Sequence, residues 1–516
     1  MRKRVKLEIR CILLGIGCGV LLFLLYAAKW FQQEWDKIDF ATVVYQLSTP
    51  LKGTNSEIIE DFCKFVLPAT VVLTLAIVIF YFLFEKVFSV MSFQIEVKVL
   101  DKNCTFRTGK KFYTVGKAVF WVVLVCVIGL EIAGKIKELG IGEYLADISQ
   151  SSTVFEEYYV SPTNVGILFP EKKRNLIFIY LESMESTYAS VEEGGGKPQN
   201  YIPELTDLAK ENISISNGDK IGGIRSCTLT GWTMGALLGS TSGVPYKIPG
   251  GGNESERYSE FLPGIITLGD ILQQEGYDNY FLCGSDAGFA GRDVYFQKHG
   301  NYAIHDYYWA VDNELIPAGY STAWGFEDAY LFEIAKQELT QIAGSGRPFN
   351  YTMLTVDTHT PEGYICELCD DQYELPYANA IACSSRQTVQ FVQWIQQQEW
   401  YENTTIVLLG DHTSMVSYFW DDIGDFQRRM YNCFINLPEC VDVQNIKFRD
   451  VTTIDLFPTT LAALGVDIEG NRLGLGTNVF SDKKTLIEEL GGDLFRSELK
   501  KYSKYYNDVF VKGKER

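Results

Sequence analysis

Histidine is scarce in this chain. The 516 residues contain only four, which are His299, His305, His359 and His412. Catalytic sites that hold two divalent metal ions draw on many histidine and carboxylate ligands. So small a supply of imidazole argues against a paired-metal site, and the sequence predicts one catalytic metal ion at most.

Basic residues are also in short supply. Lys and Arg number 46 against 65 Asp and Glu, which gives a net charge of −19 at pH 7. Nucleic-acid binding needs a basic footprint that pairs with phosphates, so this charge argues against nucleic acid as a partner. Internal repeats and low-complexity tracts are absent too. The 47% of hydrophobic residues is enough material for a substantial core.

Three apolar runs stand out within the first 136 residues, at 11–28, 65–84 and 118–130. A helix that crosses a bilayer needs about 20 apolar residues, which the first two runs approach and the third does not reach. Buried helices are an alternative, as is a cleaved signal peptide for the first run, although no small-residue cleavage site follows it. We expect a membrane anchor of about three transmembrane helices at residues 1–136, followed by a linker at 137–170.

Basic residues flank these runs unevenly and predict the orientation of the anchor. They crowd the N-terminus and the segment between the second and third runs, while the first loop is poorer in them. Since cytoplasmic loops are enriched in Lys and Arg, the N-terminus is predicted to be cytoplasmic. Three crossings then place residues 171–516 on the extracytoplasmic side of a cell membrane. The basic residues concerned are Arg2, Lys3, Arg4, Lys6, Arg10, Lys86, Lys98, Lys102, Arg107, Lys110 and Lys111.

Seven of the 12 cysteines lie after residue 136, and three of them cluster at Cys366, Cys369 and Cys383. The Cys366-Glu-Leu-Cys369 pair could be a redox or zinc motif, but no second pair or nearby histidine follows at ligand spacing. In an oxidising compartment we expect a disulfide between Cys383 and one of the other two.

Apolar strand-like runs alternate with helical patterns in the second half of the chain. The strand candidates are residues 175–181, 278–283, 350–356 and 404–409, and the helix candidates are residues 266–275, 329–343 and 385–398. Strands that alternate with helices indicate an α/β domain. We therefore predict a mainly parallel central sheet flanked by helices over residues 171–516, preceded by the α-helical transmembrane segment.

Polar residues follow three of the predicted strands at the point where each ends. Glu182 follows the first run, Asp357 and His359 follow the third, and Asp411 and His412 follow the fourth. Ligands of open α/β sheets bind beyond the carboxyl ends of the strands. A carboxylate at such a position is often only a helix cap, but three such ends favour a shared site. Glu182, Asp411 and His412 form a ligand set that suits Mn²⁺, Mg²⁺ or Zn²⁺.

A hydroxyl-rich segment at residues 222–238 runs from glycines into an apolar helix. Its candidate nucleophiles are Ser226, Thr228, Thr230 and Thr233. A hydroxyl at a helix N-terminus lies in a positive dipole near free backbone N–H groups that can hold phosphate, and a bound divalent ion would make it easier to deprotonate. Plain helix capping is the alternative, and the segment by itself favours it.

From about residue 170 to 480 the chain resembles the bacterial phosphoglycerol transferases, which include lipoteichoic acid synthase and the enzyme that modifies periplasmic glucans, within the alkaline-phosphatase and sulfatase-like superfamily. The resemblance rests on short motifs that occur in order. They are Tyr180-Leu-Glu-Ser, Thr230-Gly-Trp-Thr-Met, Gly243-Val-Pro, Leu268-Gly-Asp-Ile-Leu, Gly276-Tyr-Asp-Asn-Tyr-Phe, Phe289-Ala-Gly-Arg-Asp-Val, His299-Gly, Leu354-Thr-Val-Asp-Thr-His and Gly410-Asp-His.

The resemblance implies a role for each candidate. Thr233 matches the nucleophile and completes a metal shell with Glu182, Asp411 and His412, around one divalent ion, Mn²⁺ before Mg²⁺ or Zn²⁺. Two further residues, Arg292 and His359, match positions that hold the phosphate and glycerol of the substrate.

The implied reaction moves glycerol phosphate from phosphatidylglycerol, a membrane lipid, to a glycan or polymer of the bacterial cell envelope through a phosphoglyceryl-threonine. The relatives also suggest that Cys369 is the disulfide partner of Cys383. The chain departs from lipoteichoic acid synthase at Tyr180, where that enzyme has histidine, and at residues 284–289, which lack its histidine and tryptophan.

Three other functions were weighed. A sulfatase needs Cys or Ser in a Cys/Ser-x-Pro-x-Arg motif, and Cys227-Thr-Leu-Thr-Gly lacks the proline and the arginine. A phosphoethanolamine transferase would use the same threonine and metal on another head group. A non-catalytic scaffold would be expected to have lost one of the four metal-shell residues, and all four are present.

Overall fold

The structure is a computed structural model that describes residues 2–34, 40, 43–44, 56–87, 94–99, 102–107, 110–247, 260–322, 324–443 and 445–514. Contacts divide the chain into two compact units. One comprises Met1–Val43 with Ser56–Tyr144, and the other Val44–Asn55 with Leu145–Arg516.

The first unit contains three long helices, α1 (Arg2–Glu34), α2 (Ser56–Val87) and α3 (Lys110–Glu138), and an antiparallel hairpin of β1 (Gln94–Val99) and β2 (Lys102–Arg107). All three helices are long and apolar enough to cross a membrane by length and composition. The third predicted run was too short, because the apolar part of α3 extends over Tyr113–Glu138. A helix of that length covers the hydrocarbon core of a bilayer.

A six-stranded sheet forms the centre of the second unit. Its order is β6-β5-β7-β4-β8-β9, with every neighbouring pair parallel except β8 and β9. The strands are β4 (Asn175–Leu181), β5 (Asp278–Cys283), β6 (Ala303–His305), β7 (Phe349–Leu354), β8 (Thr404–Gly410) and β9 (Asn432–Ile435). Short two-stranded pairs join β3 (Ile167–Leu168) to β10 (Asp467–Ile468) and β11 (Arg472–Leu473) to β12 (Gly476–Thr477).

Helices connect these strands and close the unit. They are α4 (Ile141–Ser149, assigned partly to each unit), α5 (Val154–Tyr158), α6 (Pro203–Glu211), α7 (Thr233–Ser242), α8 (Leu268–Gln274), α9 (Arg292–Lys298), α10 (Tyr307–Asp312), α11 (Asp328–Ala343), α12 (Pro376–Gln396), α13 (Leu456–Ala463), α14 (Leu486–Leu490) and α15 (Gly492–Lys500).

Strand β4 shows why the sheet is buried on both faces. All seven of its residues are buried. Leu176, Phe178 and Tyr180 belong to one hydrophobic cluster, whereas Ile177, Ile179 and Leu181 belong to another. Because successive side chains of a strand point to opposite faces, the sheet separates two cores. A continuous apolar run is what such a doubly covered parallel strand requires.

The structure confirms the predicted α/β class and all four predicted strands, with shifts at their ends. Helix α12 is the largest correction, because it begins at Pro376 and not at residue 385. Proline is well tolerated in the first turn of a helix, where its missing N–H is not needed. The polar residues that follow, such as Asn379, are buried, so the added part of the helix belongs to the core.

The expected disulfide between Cys369 and Cys383 is not formed in the structure. Cys366, Cys369 and Cys383 are all free thiols in the structure. The sulfur of Cys366 lies 3.6 Å from that of Cys369 and 3.8 Å from that of Cys383. Cys366 therefore lies close to both of the other thiols, although the resemblance favoured Cys369 as the disulfide partner of Cys383.

Gly410 ends β8 where two backbones approach too closely for any side chain. A Cβ at this position would lie 1.8 Å from the carbonyl oxygen of Met184, which is backbone and cannot rotate away. The close approach lets Asp411 follow directly behind the end of β4, where its N–H donates to the carbonyl of Leu181 at 3.2 Å.

Replacing Gly410 with alanine is therefore expected to destabilise the fold by about 3 kcal/mol or more. Gly218→Ala is the matched control, because nothing lies within 4 Å of a Cβ added there. Thermal unfolding of the purified full chain measures both variants. Equal melting temperatures for the two would contradict the steric argument.

Candidate metal centre and nucleophile

Three potential metal ligands meet at the carboxyl ends of two neighbouring strands. Glu182 follows β4, and Asp411 and His412 follow β8, which pairs with β4 in parallel so that Leu181 lies opposite Gly410. The ligand atoms of the three side chains lie within 4.8 Å of one another. All three residues are buried, at 3%, 0% and 3% exposure. The register of two strands thus brings together residues that are far apart in the sequence.

Ser183 holds the two carboxylates in place, although the sequence did not single it out. Its N–H donates to Oδ1 of Asp411 at 2.8 Å, and its hydroxyl donates to Oε1 of Glu182 at 2.7 Å. To do so it adopts a φ of 52°, a left-handed conformation that side chains other than glycine rarely take. Such strain persists only where the surroundings impose it, and it concentrates at functional sites.

Burial dominates the electrostatics of the two carboxylates. It raises the pKa of Asp411 to about 7, and the charge of Glu182 adds to the effect. Burial alone would also raise the pKa of Glu182, but the neighbouring imidazoles and hydroxyl donors outweigh it and lower that pKa. For His412, burial would lower the pKa, but the charges of the two carboxylates outweigh burial and raise it. Together these pKa shifts favour a proton or a cation between the carboxylates of Glu182 and Asp411.

The arrangement fits a divalent cation. Oδ2 of Asp411 is buried and has no hydrogen-bond partner, a costly state that a bound cation would relieve. Nδ1 of His412 lies 3.0 Å from the carbonyl of Thr413, which can only accept, so the proton belongs on Nδ1. The lone pair of Nε2 is left for a metal, the usual arrangement of a histidine ligand.

Thr233 is the hydroxyl that the fold brings to this group. Its Oγ1 lies 3.3 Å from Oε2 of Glu182 and 3.4 Å from Nε2 of His412. It is the first residue of α7, whose N-cap is Trp232, so its hydroxyl does not cap the helix. Thr230, by contrast, is buried and bonded to the carbonyl of Cys227. The capping interpretation therefore does not describe Thr233.

His359 lies near enough to Glu182 for their charges to interact, and Arg292 lies near His359. The charges of Glu182 and Arg292 both act on His359, and burial, the larger effect, lowers the pKa of that imidazole. Its Nδ1 lies 2.8 Å from the carbonyl of Thr360, which leaves the Nε2 lone pair available. The guanidinium of Arg292 donates to the hydroxyl of Ser285 and the carbonyl of Asp286, at 3.0 and 2.7 Å.

Trp324 is a site residue that sequence reasoning missed. Its ring centroid lies 4.4 Å from that of His359 and 5.7 Å from that of Phe289. Residues 284–289, just before Arg292, contain no tryptophan. The segment before α11 instead brings Trp324 to the ring of His359. The local sequence around Trp324 does not predict this contact, because His359 and Phe289 belong to two other segments.

The other two histidines lie elsewhere, as expected. Nε2 of His299 lies 2.7 Å from the carbonyl of Phe261, and His305 stacks on Trp309 with ring centroids 4.0 Å apart. Among the residues that the structure describes, Glu182, Asp411 and His412 form the one group of oxygen and nitrogen ligands close enough to share an ion.

Comparison with known proteins places this geometry in a family. The Sulfatase family profile matches residues 174–466. The chain is 32% identical over 335 residues to phosphoglycerol transferase I of Salmonella choleraesuis, which covers 63% of this chain and 41% of that protein. It is 31% identical over 359 residues to phosphoglycerol transferase I of Citrobacter koseri, covering 66% and 44%. The chain thus spans about two fifths of the length of these curated relatives.

A solved structure of the lipoteichoic acid synthase LtaP from Listeria monocytogenes superposes with a TM-score of 0.46 and 18% identity. The superposition covers 64% of this chain and 80% of the other. At that TM-score it adds nothing about function.

Metal content provides the test of the centre. Glu182→Gln and Asp411→Asn should each remove the divalent ion bound by the purified full chain, because each deletes a charged oxygen ligand. Asp357→Asn is the matched control, a buried acid after the neighbouring strand whose pKa is raised by burial and by Asp328, so that a neutral side chain suits its place. Elemental analysis after equilibration with Mn²⁺ measures all three, and unchanged metal in the first two would refute the ligand assignment.

Proposed function

The chain belongs to the sulfatase family, and from that premise we propose that it is a phosphoglycerol transferase. It would move glycerol phosphate from phosphatidylglycerol to a glycan or polymer of the bacterial cell envelope. The observation that carries the proposal is the hydroxyl of Thr233 between Glu182 and His412 at the start of α7. A threonine in that place suits transfer of a phospho-group through a covalent ester.

Sulfate-ester hydrolysis is disfavoured by the same segment. Cys227 lacks the proline and arginine of the sulfatase motif, and it is buried at 4% exposure.

Glu182, Asp411 and His412, together with Oγ1 of Thr233, would hold one divalent ion, Mn²⁺ before Mg²⁺ or Zn²⁺. When bound, such an ion neutralises a phosphoryl oxygen and makes a hydroxyl easier to deprotonate. The side chains themselves do the positioning. The N-terminus of α7 contributes backbone N–H groups and a positive dipole to the anionic substrate.

In the first step Oγ1 of Thr233 attacks the phosphorus of the lipid. The bond between phosphorus and the diacylglycerol oxygen breaks, Thr233 gives up its hydroxyl proton, and the diacylglycerol oxygen takes up a proton from solvent. Oγ1 already donates toward Oε2 of Glu182, the carboxylate oxygen placed to receive it. The products are diacylglycerol and a phosphoglyceryl-threonine.

In the second step a hydroxyl of the acceptor attacks the same phosphorus, the bond to Thr233 breaks, and Oγ1 of Thr233 recovers from Glu182 the proton that it gave up. The free Nε2 of His359 is suited to take the proton of that hydroxyl, since burial lowers the pKa of the ring and keeps it neutral. Arg292 would bind a phosphate oxygen. Charge-stabilising groups of this kind are each worth about 3–4 kcal/mol in the transition state.

A membrane lipid is the expected donor because the same chain carries three helices of membrane-spanning length and composition. Tethering raises the effective concentration of the enzyme toward lipids over soluble phosphodiesters. We place the anchor at residues 1–136, a linker at 137–170 and the catalytic domain at 171–516 on the extracytoplasmic side, on the strength of the basic cytoplasmic segments.

Thr233→Ala should reduce turnover to background while leaving the fold intact, because it removes the attacking oxygen. Thr228→Ala, from the same hydroxyl-rich segment, is the control and should remain active. Transfer of glycerol label from lipid to protein, followed by peptide mass spectrometry, locates the ester. Full activity of Thr233→Ala would show that another residue is the nucleophile.

The identity of the donor is tested with head-group-labelled lipids in detergent micelles and a cell-envelope fraction as acceptor. Label should leave phosphatidylglycerol as diacylglycerol accumulates, and chelation followed by Mn²⁺ should stop and restore the reaction. Consumption of phosphatidylethanolamine instead would replace the proposal with a phosphoethanolamine transferase.

A further inference from the structure

Three thiols converge outside the candidate catalytic centre. Cys366 and Cys369 lie on the loop that follows β7, and Cys383 lies on α12. Cys366 and Cys383 are buried, at 6% and 2% exposure. The three sulfurs lie within 4.8 Å of one another, and they share no residue with the group at Glu182.

The sulfur-to-sulfur distances match those of metal ligands. A zinc ion binds thiolates at about 2.3 Å, so two ligands at a tetrahedral angle lie about 3.8 Å apart. The sulfur of Cys366 is 3.6 Å from Cys369 and 3.8 Å from Cys383. These separations leave room for an ion between the three sulfurs.

Several hydrogen-bond donors lie close to the sulfurs of the cluster, where they would stabilise negative charge. Nε2 of Gln387 lies 3.3 Å from the sulfur of Cys383 and 3.6 Å from that of Cys366. The guanidinium of Arg386 lies 3.8 Å from Cys383. Donors of this kind stabilise thiolates, the form in which cysteine binds metals.

From this geometry we infer that Cys366, Cys369 and Cys383 bind a thiophilic divalent cation of the Zn²⁺ class. Binding releases the three thiol protons and forms three metal–sulfur bonds, and it involves no oxidation. The fourth tetrahedral position is left to solvent or an anion. Arg386 offsets part of the excess negative charge, although its other nitrogen is paired with Asp370 at 3.0 Å.

The site would fasten the loop that carries Asp357 and His359 to α12. The segment from residue 355 to 375 has neither helix nor strand in the structure. Three metal–sulfur bonds would join this loop to a buried helix. The inference does not depend on which phospho-group the enzyme transfers.

Cobalt(II) separates this site from the catalytic centre, because only sulfur ligands produce the near-ultraviolet thiolate-to-cobalt charge-transfer band. The full chain, purified in detergent under reducing conditions, should develop that band on titration with Co²⁺, and Zn²⁺ should abolish it. The band should persist in Asp411→Asn and be lost in Cys366→Ser. Cys440→Ser, at an exposed cysteine of the same unit, should keep it. No band in the wild-type protein, or a band that survives Cys366→Ser, would overturn the inference.

A second measurement needs no variant. Zn²⁺ should slow alkylation of Cys366, Cys369 and Cys383 in the wild-type chain without protecting Cys440, as followed by peptide mass spectrometry. Equal alkylation rates with and without Zn²⁺ would refute the site. A peptide linked through Cys366 or Cys383 by a disulfide, found in protein taken directly from the membrane, would refute it as well.

Discussion

The burial of two carboxylates side by side is the constraint on which the rest of the candidate site depends. Glu182 and Asp411 are fully enclosed at adjacent strand ends, where water cannot screen their repulsion. Charges in such an environment must be paired or must neutralise. Nε2 of His412 lies 3.5 Å from an oxygen of each carboxylate, and the raised pKa of Asp411 indicates that the pair favours taking up a proton or a cation.

The surrounding structure holds that arrangement rather than relaxing it. Ser183 adopts a left-handed conformation to donate to both acids, and the backbone N–H of Glu182 donates to the hydroxyl oxygen of Thr355 at 2.9 Å. Gly410 allows the two strand ends to approach. Two acids that are held together at the cost of backbone strain are suited to binding a metal ion. A metal ion next to a hydroxyl at a helix N-terminus is in turn suited to phospho-transfer chemistry.

Family membership and the residues of the candidate site carry different kinds of information. Membership of the sulfatase family comes with a shared sheet, whereas the chemistry follows from which side chain stands at the start of α7. Here that residue is Thr233, and the aromatic wall beside His359 is built from Trp324 and Phe289.

Much of the fold could be predicted from the sequence because each strand or long helix is specified by the residues of its own segment. Each buried strand appears as a short apolar run, and a polar residue directly after it has to lie at the edge of the sheet, which is why Glu182, Asp411 and His412 could be proposed as one group. The long apolar runs of the first unit predicted helices for the same reason, since length and hydropathy are properties of a single segment.

What only the tertiary structure decided involves residues whose partners are distant in the chain. The sequence offered four hydroxyls before α7, and the packing of that helix against the sheet is what brings Thr233 to Glu182. Trp324 and Ser183 are placed by neighbours on other segments, and the sulfur of Cys366 lies 3.8 Å from that of Cys383, which is on α12. Local patterns specify strands and helices, but which side chains meet depends on register and packing between segments, and neither is encoded within any one of them.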